Sequence, residues 1–243
     1  IMEVETSGVR DRLPTNTANQ QDVTVRYQAL NLALKPSLEL SVPNKGGATL
    51  YGSARVKVSD TLNVVEIGRL NWGKLATNPN ALDAGLSANH IGLEATKGLS
   101  IGTVVGRADY YEISDGNAIV TSSLRLASSW RPLGPSIKPF VGVEMRDAKF
   151  NTPNYWSPEH GFGSFFAGLM AEWGSADWNF YASGQAGLRL YGDAGTSWSL
   201  STGGKHWITS DIAIGFNLWS MASQRDSARY RSKSANVNLE KLW

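Results

Sequence analysis

From Trp178 to Tyr191 every second residue is apolar or small: Trp178, Phe180, Ala182, Gly184, Ala186, Leu188, Leu190. The residues between them are Asn179, Tyr181, Ser183, Gln185, Gly187, Arg189 and Tyr191, most of them polar. A period of two is the side-chain period of a β-strand, so one face is apolar and the other polar. At about 14 residues the segment exceeds the usual strand of a soluble sheet. Its apolar side lacks the dense Val/Ile/Leu set of a packed core and carries Trp and Phe at one end. A tilted strand crossing a bilayer needs about 9–11 residues, apolar outward and polar inward, with aromatics at the boundary. That description fits.

The alternation recurs along the chain. Met2–Arg10 is a short strand candidate, and Asp11–Gln21, with Pro14, reads as loop. Val23, Val25 and Tyr27 alternate with Thr24, Arg26 and Gln28; Leu30, Leu32 and Leu34 continue on the opposite parity past a bulge near Ala29. Leu38–Val42 and Ala48–Ser59 flank the Pro43–Gly47 loop, and a further strand runs to about Trp72. A loop around Asn78-Pro79-Asn80 leads to strands near Leu82–Ala95 and Ile101–Ile113, separated by a Thr96-Lys97-Gly98 turn. Ser114-Asp115-Gly116-Asn117 is a hairpin signal. Strands follow over Val120–Trp130 and Ile137–Arg146, then the long loop Asn151–Gly163, then strands over Phe165–Trp173 and Trp178–Tyr191. A short strand, Ser197–Thr202, meets a Gly203-Gly204-Lys205 turn; Ile208–Trp219 and a segment ending at Trp243 complete the series.

No helical period separates these segments. The pattern predicts an all-β fold: one closed, antiparallel, up-and-down transmembrane β-barrel over 1–243, with about 14 strands and bounds of 12 to 16. Lys35–Ser37, Asp60–Thr61, Thr96–Gly98, Arg131–Ser136, Gly174–Asp177 and Gly203–Lys205 fall at the end that carries both termini, the periplasmic one. The longer loops fall outside.

Composition narrows the picture. No stretch approaches 18 consecutive apolar residues, which excludes a transmembrane helix. The mean hydropathy of −0.24 is no obstacle, because a barrel's apolar residues alternate with polar ones. Nine Trp and 25 Gly suit interfacial belts and curved strands. With 23 basic and 21 acidic residues the net charge is +2, and no nucleic-acid partner is expected. The absence of cysteine rules out disulfides and thiolate chemistry. Ile1 opens no signal sequence, so an exported chain implies a longer precursor.

The polar parity gathers a lumen set: Tyr51, Arg55, Arg107, Tyr111, Arg125, Phe140, Glu144, Arg146, Tyr181, Arg189, Tyr191, Trp207 and Trp219. Ion pairs filling a small barrel would account for the charges. A sugar path would account for the charges and the aromatics together, since aromatic rings stack on pyranose C–H faces while polar groups meet hydroxyls. Mixed charge argues for a neutral or zwitterionic polysaccharide. Outer-membrane lipid is the other expected partner.

Enzymatic chemistry finds no footing. His90 has no His-x-Ser neighbour, His160 sits beside Glu159, and His206 precedes Asp211 by five residues. No Ser-His-acid arrangement, metal-ligand spacing or phosphate-binding glycine loop is readable, so no cofactor or metal is expected.

The segment Asn154-Tyr155-Trp156-Ser157-Pro158-Glu159-His160, leading to a strand from Phe165, resembles the aromatic-Ser-Pro loop of exopolysaccharide-export porins. Gly8-Val9-Arg10, the hairpin Leu38–Val58 and the aromatic C-terminus are similar in layout. The resemblance implies an outer-membrane pore of the cellulose or poly-N-acetylglucosamine secretion type, Tyr155–His160 as an external loop, and partners among periplasmic and inner-membrane secretion components. The chain is shorter than that family's usual 16-stranded barrel and lacks its preceding helical repeats. A receptor or adhesin barrel, a general small-solute porin and a soluble β-sandwich sugar binder are the alternatives.

Overall fold

Alternation becomes strand throughout the chain. The computed structural model describes residues 2–12, 17–44, 47–71, 79–225 and 228–241. Its strands are β1 (Met2–Arg12), β2 (Thr17–Gln28), β3 (Ser37–Pro43), β4 (Thr49–Val58), β5 (Thr61–Asn71), β6 (Ser87–Leu99) and β7 (Gly102–Ile113). They continue as β8 (Ala118–Ser128), β9 (Ile137–Ala148), β10 (Phe162–Gly174), β11 (Trp178–Gly192), β12 (Ala194–Trp207), β13 (Ile212–Arg225) and β14 (Ala228–Lys241). All fourteen form one sheet in sequence order. Each consecutive pair is antiparallel, as connections of a few residues require. The first and last strands approach to within 8 Å between Cα atoms, so the sheet curls and has a concave and a convex face. Among the described residues no hydrogen-bonded ladder joins β1 to β14.

The two faces are inverted relative to a water-soluble protein. Ile67 is 61% exposed and Leu93 51%, and Leu38, Leu40, Leu50, Leu124, Leu188, Leu200, Leu218, Val237 and Leu239 stand exposed with them. Thr24, Glu39, Ser41, His90 and Asp109 are buried on the opposite face. A sandwich would bury its leucines between two layers, whereas this single sheet turns them outward. Such a convex face calls for lipid.

Several boundaries differ from the sequence expectation. Leu30, Leu32 and Leu34 extend no strand; β2 stops at Gln28, and Ala29 N–H bonds the Pro36 carbonyl at 3.0 Å to close a loop over 29–36. The region from Leu82 begins as a one-turn helix, α1 (Pro79–Asp83), and β6 starts only at Ser87. This helix makes no crossover, because β5 and β6 are direct antiparallel neighbours. Thr96–Gly98 lies inside β6, and the reversal comes at 100–101. Gly203–Lys205 lies inside β12, which ends at Trp207, so Ile208 and Thr209 belong to a turn over 208–211. The supposed loop Asp11–Gln21 is mostly strand, and the terminal Trp243 lies outside the described residues.

Candidate functional site

Strand register decides which side chains meet on the concave face. Ser53 pairs with Glu66, Glu94 with Arg107, Asp109 with Thr121, and Ser123 with Glu144. Opposed residues share a face, so Tyr51, Arg55, Arg107, Tyr111, Arg125, Phe140, Glu144, Arg146, Tyr181, Arg189, Trp207 and Trp219 all take this inner parity. Tyr191 does not. A bulge shifts the β10–β11 register at Gly163/Ser164 and sets Tyr191 opposite Gly163, with its ring against that glycine on the outer side. Strand parity counted from Trp178 runs straight through this bulge and so misplaces the tyrosine.

The densest part of the inner face spans β4 to β8. His90 is 4% exposed and stacks between two tyrosines, with centroids 5.7 Å from Tyr51 and 4.5 Å from Tyr111. Its Nε2 lies 2.9 Å from Asp109 Oδ1, and its Nδ1 lies 3.1 Å from the Tyr51 hydroxyl. Arg107 Nη2 and Nε donate to Asp109 at 2.8 and 2.9 Å, and the same guanidinium pairs with Glu66 and with Glu94 at 3.5 Å. Gly92 keeps the space open: a Cβ there would meet Asp109 Oδ1 at 2.7 Å and His90 Cε1 at 2.9 Å. Glu66, His90 and Asp109 place one ligand atom each within 4.8 Å of one another. Arg107 already supplies that group with a cation, so a metal ion would have to displace a bidentate guanidinium. His90 and Asp109 lie on different strands, and their meeting has no signature in linear spacing.

Beyond this cluster the inner face alternates ion pairs with cation–aromatic contacts. Arg26 pairs with Glu39, Lys138 with Glu172 and Lys205 with Glu240. The Arg125 guanidinium lies 4.4 Å from the Phe140 ring centre, and Phe140 meets Phe166 edge-on. Arg146 lies 4.8 Å from the Trp156 ring centre. Lys205 sits 5.2 Å from Trp207.

The two longest connections, 72–86 and 149–161, leave the end opposite the termini, and the second folds back onto the inner face. Tyr155 is 3% exposed and packs with Ala81 of α1 and the inward Ala88, Ile113 and Ile119. Its hydroxyl donates to both Asp115 oxygens at 3.0 and 2.9 Å, and burial together with that carboxylate pushes its pKa up. Trp156 meets Phe162 edge-on at 4.8 Å. Ser157 Oγ accepts from the Thr152 N–H at 2.8 Å, and Asn80 Nδ2 reaches the Pro153 carbonyl at 3.5 Å. Pro158 is buried, while Glu159 and His160 remain exposed. Asp193, in the β11–β12 turn, accepts from the N–H groups of Glu159 (2.7 Å) and His160 (3.1 Å) and faces His160 Nδ1 at 3.1 Å. The loop thus leaves the end opposite the termini, and Asp115 and Asp193 pin it over the inner face.

His90 and His160 each have a carboxylate partner, the minimum for general-base chemistry. Among the described residues the hydroxyl beside His90 is the Tyr51 phenol, and no serine hydroxyl bonds either ring.

No protein-family model matches the chain, and no curated protein sequence matches it. Solved structures do. A bacterial polysaccharide outer membrane secretin superposes with TM-score 0.70 at 13% identity, over 100% of this chain and 97% of its own. The CymD monoaromatic hydrocarbon channel gives TM-score 0.50 at 8% identity, over 100% and 87%. Identities this low speak to the fold. The shared up-and-down architecture and the apolar convex face place the chain in the bacterial outer membrane.

Proposed function

We propose that the chain is an outer-membrane pore, closed by pairing of β1 with β14, that exports a polysaccharide along its inner face. The observation that carries this reading is the Tyr51–His90–Tyr111 stack set among Glu66, Glu94, Arg107 and Asp109. Aromatic edges and faces offer successive sugar rings weak, repeatable contacts, and the carboxylates and the guanidinium exchange hydrogen bonds with hydroxyls. Because both signs of charge line the inner face, the path suits a neutral or zwitterionic polymer such as a β-linked glucan or an N-acetylglucosamine chain. The likeness to a polysaccharide outer membrane secretin supports the same reading. Periplasmic and inner-membrane secretion components would deliver the polymer, and the 149–161 loop would have to yield as it leaves.

The test is single-channel recording in planar bilayers with glucose and N-acetylglucosamine oligomers added. Oligomers are expected to block the current, and Tyr51→Ala and Tyr111→Ala to weaken the block. A second reading, a receptor barrel closed inside and acting through its surface loops, is favoured by the burial of Tyr155 among Ala88, Ile113 and Ile119. No current from the wild type or from a variant shortened over 152–159 would leave that reading standing and remove the first.

A further inference from the structure

At the end opposite the termini, the convex face of β5 to β8 changes character within one step of the ladder. Ile67, Ile91, Tyr110 and Val120 lie side by side across these strands, all exposed. One step further out the row reads Arg69, Asn89, Glu112, Ala118, and Lys149 continues it through its N–H bond to the Ala118 carbonyl at 2.9 Å. Strand parity places this second row on the lipid side, above the apolar band, where membrane meets water. It encloses a pocket of about 430 Å³ lined by Arg69, Ser87, Asn89, Glu112, Ser114 and Lys149.

The two cations have no carboxylate partner among the described residues. Arg69 donates to Ser87 Oγ at 2.8 Å and Lys149 to the Gly116 carbonyl at 3.3 Å. Glu112 instead accepts from the Asn89 amide at 3.4 Å. The opposite end of the same wall differs, since there Lys97 pairs with Asp60 at 3.4 Å. An Arg and a Lys left open at a lipid-facing rim, beside hydroxyl and amide groups, suit a phosphorylated sugar. The isoleucine row directly below suits acyl chains.

We infer that this pocket binds the headgroup of a phosphorylated, multiply acylated glycolipid of the outer leaflet, with its acyl chains lying on Ile67, Ile91 and Val120. Arg69 and Lys149 hold phosphate oxygens; Ser87, Asn89, Ser114 and Glu112 meet sugar hydroxyls. The inference rests on the outer-membrane reading, with the long connections facing the cell exterior, and is independent of whether the interior conducts.

The test uses the whole chain refolded in detergent, its fold verified by heat-modifiable gel mobility. Native mass spectrometry then measures binding of lipid A (a bis-phosphorylated acylated disaccharide), of the same lipid dephosphorylated, and of inorganic phosphate. The wild type is expected to prefer the phosphorylated lipid by about tenfold or more, a preference lost in R69Q/K149Q and kept in R69K/K149R and K97Q. Should the double variant fail to fold, R69Q and K149Q are each expected to lose part of the preference. Equal binding of both lipids by the wild type, or an unchanged preference in the glutamine variants, overturns the proposal. So does displacement of the lipid by low-millimolar inorganic phosphate, which would mark a free-phosphate site.

Discussion

His90 Nε2 lies 2.9 Å from Asp109 Oδ1, joining β6 to β7 across the middle of the inner face. Asp109 also takes the Arg107 guanidinium and the Thr121 hydroxyl, so one nearly buried carboxylate serves three donor groups. Asp109→Asn weakens all three at once, but Asn keeps an acceptor and Arg107 keeps Glu66 and Glu94, so a loss of about 1.5–3 kcal/mol is expected. His90→Phe keeps a ring between Tyr51 and Tyr111 and leaves Asp109 with Arg107 and Thr121, so about 0.5–1.5 kcal/mol is expected. Urea unfolding in phospholipid bilayers reads both values, and equal losses would contradict this ranking.

Leu93 and Leu124 sit on the convex face, each about half exposed. If water covered them, Leu→Arg would stay within about 0.5 kcal/mol, as at most surface sites. In lipid the cost near the midplane is about 2–4 kcal/mol. Leu93→Arg and Leu124→Arg are expected in the second range, and Ser123→Arg, on the inner face beside Glu144, in the first. Refolding yield and urea midpoint in bilayers discriminate, and three equal values would remove lipid from the account.

The parity of the faces was legible in the sequence because two solvents, hydrocarbon and water, enforce it along whole strands. Val141, Val143 and Met145 against Lys138, Phe140, Glu144 and Arg146 is such a case, and the structure places Phe140 inward beneath Arg125. Turn positions were less legible where glycine serves packing. Gly203 in β12 leaves room for the Tyr181 ring, whose Cε1 a Cβ would meet at 2.7 Å, so the glycine marks close approach and not a reversal. The bulge that turns Tyr191 outward depends on its partner strand and leaves no local sign. The inward fold of Tyr155 depends on Asp115 and Ala81, each tens of residues away. The Tyr51–His90–Asp109 cluster is invisible for the same reason: its members become neighbours only when β4 to β7 align.

Gly102 opens β7 with φ +150°, and a Cβ there would fall on the Ala127 carbonyl oxygen. Backbone cannot retreat as a side chain can. Gly102→Ala is expected to cost about 1–3 kcal/mol through overpacking. Gly98, near the end of β6, has nothing within 4 Å of the same position, so Gly98→Ala is expected to be neutral or slightly stabilising. The pair of urea midpoints separates a glycine required by space from one that is not.

Asp193 governs how the 149–161 loop responds to acid. Burial pushes its carboxyl up, but the hydrogen bonds from the His160 N–H, the His160 ring and the Glu159 N–H outweigh burial and hold it below the usual carboxylate range. A carboxyl whose pKa is lower when the loop is docked favours docking at every pH above its free value, about 3.9. That contribution fades as pH falls from there through the lower docked value, where the proton displaces an N–H donor. Hydrogen exchange over residues 152–160, corrected for intrinsic rates, is therefore expected to show steady protection from neutral pH down to about 4 and release below it. Asp193→Asn can still accept the two backbone N–H groups on its one oxygen but turns an amide NH2 toward the His160 ring, and should lose about 1–3 kcal/mol of that protection at neutral pH. Its protection should then run flat through the acid range, because the group that titrated is gone. An acid release that persists unchanged in Asp193→Asn would remove Asp193 from the account.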